Sequence, residues 1–153
     1  MTDYIMTCTL IGVAATFGMT SFLWGITYFK ICNVDMVKAI GSYYTQKEDK
    51  SLLPGMLAHF TAGIIFCFLY ILLFNVKPTT GKDPYIYVIF GGGIGFVHGI
   101  VMALLLVIVI AAHHPLEKYR SAGFATGVYH FFAHIIYGVI IGTLYCLFIL
   151  GKF

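Results

Sequence analysis

Leu-Leu-Pro-Gly-Met-Leu-Ala-His-Phe-Thr-Ala-Gly-Ile-Ile-Phe-Cys-Phe-Leu-Tyr-Ile-Leu-Leu-Phe, residues 52–74, holds no Asp, Glu, Lys or Arg and a single histidine, His59. About 20 apolar residues cross the ~30 Å hydrocarbon core of a bilayer as a helix. Only a helix or a closed barrel satisfies its own backbone hydrogen bonds in lipid. Similar runs occupy Tyr4 to Ile31, Pro84 to Ala112 and Ser121 to Leu150, with the charged side chains kept to span ends and loops. The chain is 60% hydrophobic and 10% charged, against roughly half and a quarter in soluble domains. Lipid, not water, is the expected solvent of its exterior.

The segment before the first span is a poor export signal: Met1 to Leu10 lacks Lys and Arg, carries Asp3 and leads into too long an apolar run. The span is therefore expected to be retained. Cys8, Cys32, Cys67 and Cys146 form no CxxC pair, so the spacing indicates neither a disulfide framework nor a zinc site. Loops rich in Lys and Arg tend to stay cytoplasmic. Lys30, Lys38, Lys47, Lys50, Lys118 and Arg120 fall on one side, against Lys77, Lys82 and Lys152 on the other. That bias places both termini on the non-cytoplasmic side of a cytoplasmic (inner) membrane. A net charge of +3 is too small and too dispersed for a nucleic-acid surface and suits cations at the headgroups.

In the first loop, Asp35 is a good helix cap. After it Met36, Val37, Ile40, Tyr43 and Tyr44 recur at helical spacing with Lys38 and Ser42 between them. A short amphipathic helix lying in the membrane surface is expected there, followed by a solvated linker from Gln46 to Lys50. Lys77 to Asp83, with Pro78 and Gly81, reads as a turn, and Tyr85 and Tyr87 as aromatic-belt residues.

Residues 52–74 also have a partner within the chain. A shift of 75 lays Ala58, His59, Gly63, Ile65, Leu69 and Tyr70 on the identical residues Ala133, His134, Gly138, Ile140, Leu144 and Tyr145. A weaker echo at a shift of 79 sets Gly12, Thr16, Phe17 and Thr20 on Gly91, Gly95, Phe96 and Gly99. Each repeat unit, about 4–75 and 84–150, holds two spans, so both enter the membrane from the same side. The expected fold is an all-α membrane protein, a single domain over 1–153. It is a four-transmembrane-helix bundle built from two parallel two-helix repeats, with a short interfacial amphipathic helix in the first loop. Gly91, Gly95 and Gly99, like Gly138 and Gly142, would let backbones approach closely.

His59, Gly63 and Tyr70 share one helical face, as do His134, Gly138 and Tyr145, with His130 one turn earlier. Polar side chains in a membrane face the bundle interior and find partners there. His98 sits in the third span beside the glycine stripe, while His113 and His114 before Pro115 read as headgroup contacts. Two histidines at equal depth on symmetry-related helices are what a bis-histidine haem b needs, and imidazole also binds copper, zinc or iron. His59, His134, His98 and His130 are therefore the candidate cofactor ligands. The alternative is that each bridges helices through a Tyr, a Thr or a backbone carbonyl, with no cofactor. Transport has less support, because the spans lack charged partners for a substrate and internal prolines of the transporter kind. Hydrolysis has none: there is no Ser nucleophile motif, no H-E-x-x-H and no carboxylate pair.

With Gly12 to Thr16, the stripe after Asp35, Leu57-Ala58-His59-Phe60 with Gly63, the Gly91 to Gly99 stripe, and His134 with Tyr137, Gly138 and Tyr145 in place, the chain resembles a family of small four-span prokaryotic membrane proteins catalogued as a domain of unknown function. The resemblance spans nearly the whole chain and implies the same four-helix architecture, but no catalytic role for any residue. His98 and His130 are not assigned to its pattern. The expected function is non-enzymatic, that of an accessory or structural subunit of a larger membrane complex. The runner-up is a haem- or metal-binding electron-transfer subunit. The expected partners are membrane lipids and other membrane subunits, of a respiratory or other redox complex, or a second copy of the chain.

Overall fold

The computed structural model describes residues 2–76, 83–120 and 123–151. The expected turn at Lys77 to Asp83, apart from Asp83 itself, lies outside them, as does Ser121 at the start of the fourth span. The described residues are helical with no strand. Helix α1 spans Thr2–Tyr28, α2 Met36–Thr45, α3 Leu52–Val76 and α4 Tyr85–Leu104. A π-helical turn, Leu105–Ile110, carries α4 into α5, Ala111–His113; α6 is Glu117–Arg120 and α7 Phe124–Phe148. Four helices, Thr2–Tyr28, Leu52–Val76, Tyr85–His113 and Phe124–Phe148, are long and apolar enough to cross a membrane. Leu10, Phe17, Leu57, Leu72, Ile89 and Ile108 are each more than half exposed on the outside of the bundle. Apolar surface on that scale suits acyl chains rather than water. Lys30 lies just beyond the end of α1, in the left-handed region at φ 57°.

The helices alternate in direction. Cys67 Sγ donates to Cys8 O (3.5 Å), Asn75 Nδ2 donates to Tyr4 Oη (3.4 Å), and Gly63 packs on Thr16, so α1 and α3 are antiparallel. Gly91 packs on Gly138, Gly95 on His134 and Gly99 on Phe131, which makes α4 and α7 antiparallel too. Across the hairpins α3 and α7 run parallel: Tyr137 Oη donates to Gly63 O, and Tyr145 Oη donates to Asn75 Oδ1 (2.9 Å). The two hairpins therefore point the same way, as expected.

The glycine stripes set how close the second hairpin packs. A Cβ on Gly95 would lie 2.5 Å from His134 O, and one on Gly99 2.7 Å from Phe131 O. Only hydrogen atoms fit there, which is how small residues let membrane helices associate.

Helix α2 forms as expected, with Asp35 accepting from Lys38 N (3.0 Å) at its amino end. It does more than lie in the surface. Val37, Ala39, Gly41 and Ser42 are buried, and Gly41 and Gly55 meet so closely that a Cβ on either would collide with backbone of the opposite helix. The Gln46 to Lys50 linker is not wholly free in solvent either. Glu48 Oε1 pairs with Lys118 Nζ at 2.7 Å and with Lys38 Nζ at 3.9 Å, joining the first and third loops on one side of the bundle. The hydrogen bond from Lys118 holds the Glu48 carboxyl below its ordinary range.

Candidate functional site: an imidazole-lined cavity

The four candidate histidines converge. His59, His98, His130 and His134 all line one cavity of about 90 Å³ between the hairpins. His59, His130 and His134 are buried and His98 is half-buried. Their inward face follows from helical spacing, since His130, His134, Tyr137 and Ile141 succeed one another on the buried side of α7.

No carboxylate lines this cavity among the described residues, and backbone carbonyls orient two of the rings instead. His130 Nδ1 donates to Thr126 O (2.7 Å) and His134 Nδ1 donates to His130 O (2.7 Å). A carbonyl only accepts, so Nδ1 carries the proton in both rings and Nε2 is left with a bare lone pair. His98 Nδ1 shares a hydrogen bond with the Tyr70 hydroxyl (3.1 Å). Its ring packs against Phe66 at 4.2 Å and His134 at 4.6 Å between centroids. The Nε2 atoms of His59, His98 and His130 are buried with no hydrogen-bond partner. One such atom left unpaired costs about 1–3 kcal/mol, and three beside one cavity set this part of the interior apart.

The repeat registers carry through to the cavity wall. His59 and His134 are counterparts at the shift of 75. At the shift of 79, Met19 of α1 is the counterpart of His98 and Leu23 of Met102, and all four line the cavity. Sequence reasoning missed Met19 and Met102, which extending that weaker echo would have found. The exception is His130, whose counterpart is Gly55. There α2 seats on α3 and brings Met36 and Ile40 over the cavity.

A smaller hollow of about 20 Å³ lies on the loop side, lined by Asp35, His114, Lys118 and Tyr119, and shares Met36 and His130 with the first. Toward the other end, Tyr70, Phe74, Tyr87, Tyr137 and Tyr145 pack ring on ring. Of the two ends, the loop side is the one that brings charged side chains near the imidazoles.

The expectation for His114 is overturned. Rather than meeting headgroups it is 1% exposed, its Nε2 donating to Ala39 O (3.0 Å) and its Nδ1 accepting from Leu116 N (3.0 Å). His114 reaches back to α2 and Lys118 to Glu48 beyond its end, long-range contacts without a periodic signal. His113 is exposed.

Among the described residues, no three His, Cys, Asp or Glu side chains stand close enough together to hold a metal ion. A porphyrin does not fit the cavity either, since pockets for ligands of that size run to about 300–1,000 Å³. A single ion or a few waters do fit. Set against models of protein families, curated proteins and solved structures, the chain gives no match in any of the three comparisons.

Proposed function

We propose that this chain is a small, non-enzymatic subunit of a membrane assembly that holds a transition-metal ion between its two hairpins. The observation that carries the reading is that imidazoles from both hairpins line one cavity, where the buried Nε2 atoms of His59, His98 and His130 have no partner. Since no three His, Cys, Asp or Glu side chains come together among the described residues, the ion is read as held by two imidazoles. Imidazole binds copper, zinc, iron and nickel through just such a lone pair. The backbone carbonyls that fix the His130 and His134 rings supply the orienting contacts that a ligating histidine needs at its other nitrogen. Of the two cofactors open at the level of sequence, the cavity volume favours the ion over haem. The loop-side hollow with Asp35 and His114 is the approach.

The excess of Lys and Arg in the first and third loops supports both termini on the non-cytoplasmic side of an inner membrane. The resemblance to the small four-span prokaryotic family is part of the same proposal. Lipid covers the outer apolar faces, and the accessory role leaves one of them to a neighbouring subunit or a second copy. The test is elemental analysis of the full chain purified in detergent. About one equivalent of a transition metal is expected, lost in His59→Ala while far-ultraviolet circular dichroism stays helical. A folded, metal-free wild-type protein that takes up no ion on titration would overturn the reading.

A further inference from the structure

We infer that the ion is copper(I), held by two imidazoles and a methionine thioether. The inference rests on the imidazole-site reading above and names its ligand class.

The donor set around the cavity is nitrogen and sulfur. Met19, Met36 and Met102 line it, half of the six methionines in the chain. No Asp or Glu does. Hard oxygen-loving cations such as magnesium and calcium need carboxylates, carbonyls and waters. Thioethers are soft donors, which favour copper(I) and zinc over the harder ions.

Coordination number separates copper(I) from zinc. Structural zinc sites take four protein ligands and catalytic ones three, almost all from His, Cys, Asp and Glu. No three such side chains come together here among the described residues. Two imidazoles can serve with a sulfur as third ligand, and copper(I) is stable with two or three ligands in a trigonal or linear array. An uncharged N,N,S shell also leaves a single positive charge in the low-dielectric interior. Zinc in the same shell would leave two, at a far greater cost in desolvation.

The internal repeat offers the positions. His59 on α3 and His134 on α7 are counterparts, and Met19 on α1 stands where α4 has His98. Each hairpin thus presents an imidazole from its second spanning helix and a second donor from its first, a thioether in one and an imidazole in the other. Of these rings, His59 and His98 have an unpartnered buried Nε2. When His98 Nδ1 donates to the Tyr70 oxygen, His98 Nε2 is the free ligand atom.

The test is titration of the full chain in dodecyl maltoside, under anaerobic reducing conditions, with copper(I) buffered by bicinchoninate and, in parallel, with zinc(II) against a chromogenic chelator. One copper(I) is expected, bound at least tenfold more tightly than zinc(II). The double variant Met19→Leu/Met102→Leu keeps side-chain volume, so the fold is expected to tolerate it. It is expected to weaken copper(I) tenfold or more and to leave zinc(II) binding unchanged. Wild-type preference for zinc(II), or copper(I) binding that the double variant leaves unchanged, would overturn the copper(I)–thioether inference and leave the imidazole site standing. Binding of neither ion would overturn both.

Discussion

The two hairpins cross in the same register but are joined differently. In the second, Gly91, Gly95 and Gly99 of α4 press directly on the α7 backbone. In the first, the counterparts of Gly95 and Gly99 are Thr16 and Thr20, whose hydroxyls donate to Gly12 O and Thr16 O within α1 (2.7 Å each). There Gly63 of α3 is the small residue that receives a threonine side chain. One seam is backbone on backbone, the other side chain on backbone. The tight seam brings the His98 and His134 rings side by side, while the looser hairpin supplies Met19 and, at Gly55, the seat for α2. A duplicated frame has thus been divided into a half that sets ring geometry and a half that carries a cover.

If that division is right, the largest effect belongs to the tight seam. Gly91→Ala/Gly95→Ala would thrust two Cβ atoms into helix backbone that cannot rotate away. Each is expected to cost about 1–3 kcal/mol, read as loss of the cooperative thermal transition in detergent. Gly12→Ala, whose Cβ would sit 3.0 Å from Ile64 Cα, is expected to cost about 1 kcal/mol. Gly18→Ala meets the flexible end of Ile140 and is expected to cost less again. Equal effects at Gly95 and Gly12 would erase the contrast.

His114→Ala comes next. It removes a buried hydrogen bond that ties the third loop to α2, for an expected loss of about 1–3 kcal/mol. Faster tryptic cleavage at Lys47 and Lys50 would register it. Tyr137→Phe deletes the hydroxyl that bridges α7 to Gly63 O of α3 and sharpens the comparison by loosening one hairpin from the other. About 1 kcal/mol is expected, seen as a lower melting temperature with unchanged helicity.

The smallest effect is electrostatic. The Lys118 hydrogen bond lowers the folded-state pKa of Glu48, so its contribution is present above the unfolded value of about 4.3 and fades as pH falls through the folded one. Both side chains are more than a third exposed, which limits the pair to less than ~1 kcal/mol. Glu48→Gln is expected to flatten the slope of melting temperature between about pH 6 and pH 3.

Much of this was legible in the sequence because lipid imposes simple rules. A charge-free run such as 52–74 reads as a helix long and apolar enough to cross a membrane, and a polar His59 in such a helix is expected to face inward, as it does. The register at a shift of 75 gave the parallel hairpins and the shared depth of His59 and His134. The Asp35 cap and the stripe after it gave α2. Local pattern did not show that α2 turns its small residues into Gly55, that His114 reaches back to Ala39, or that methionines complete the cavity wall. Each depends on contacts between segments far apart in the chain, and apolar residues in a spanning helix look alike whether they meet lipid, a neighbour or a cavity.

The π turn at Leu105–Ile110 has a mechanical consequence. A turn wider than the α-helix takes up an additional residue, and each residue advances an α-helix by about 100°. The face that Gly91 to Gly99 present to α7 and the face that directs the chain from Ala111 toward Ala39 are therefore set independently, like two keys cut on one shaft with a spacer between them. Removing that spacer would leave the membrane half aligned and rotate the loop half out of engagement.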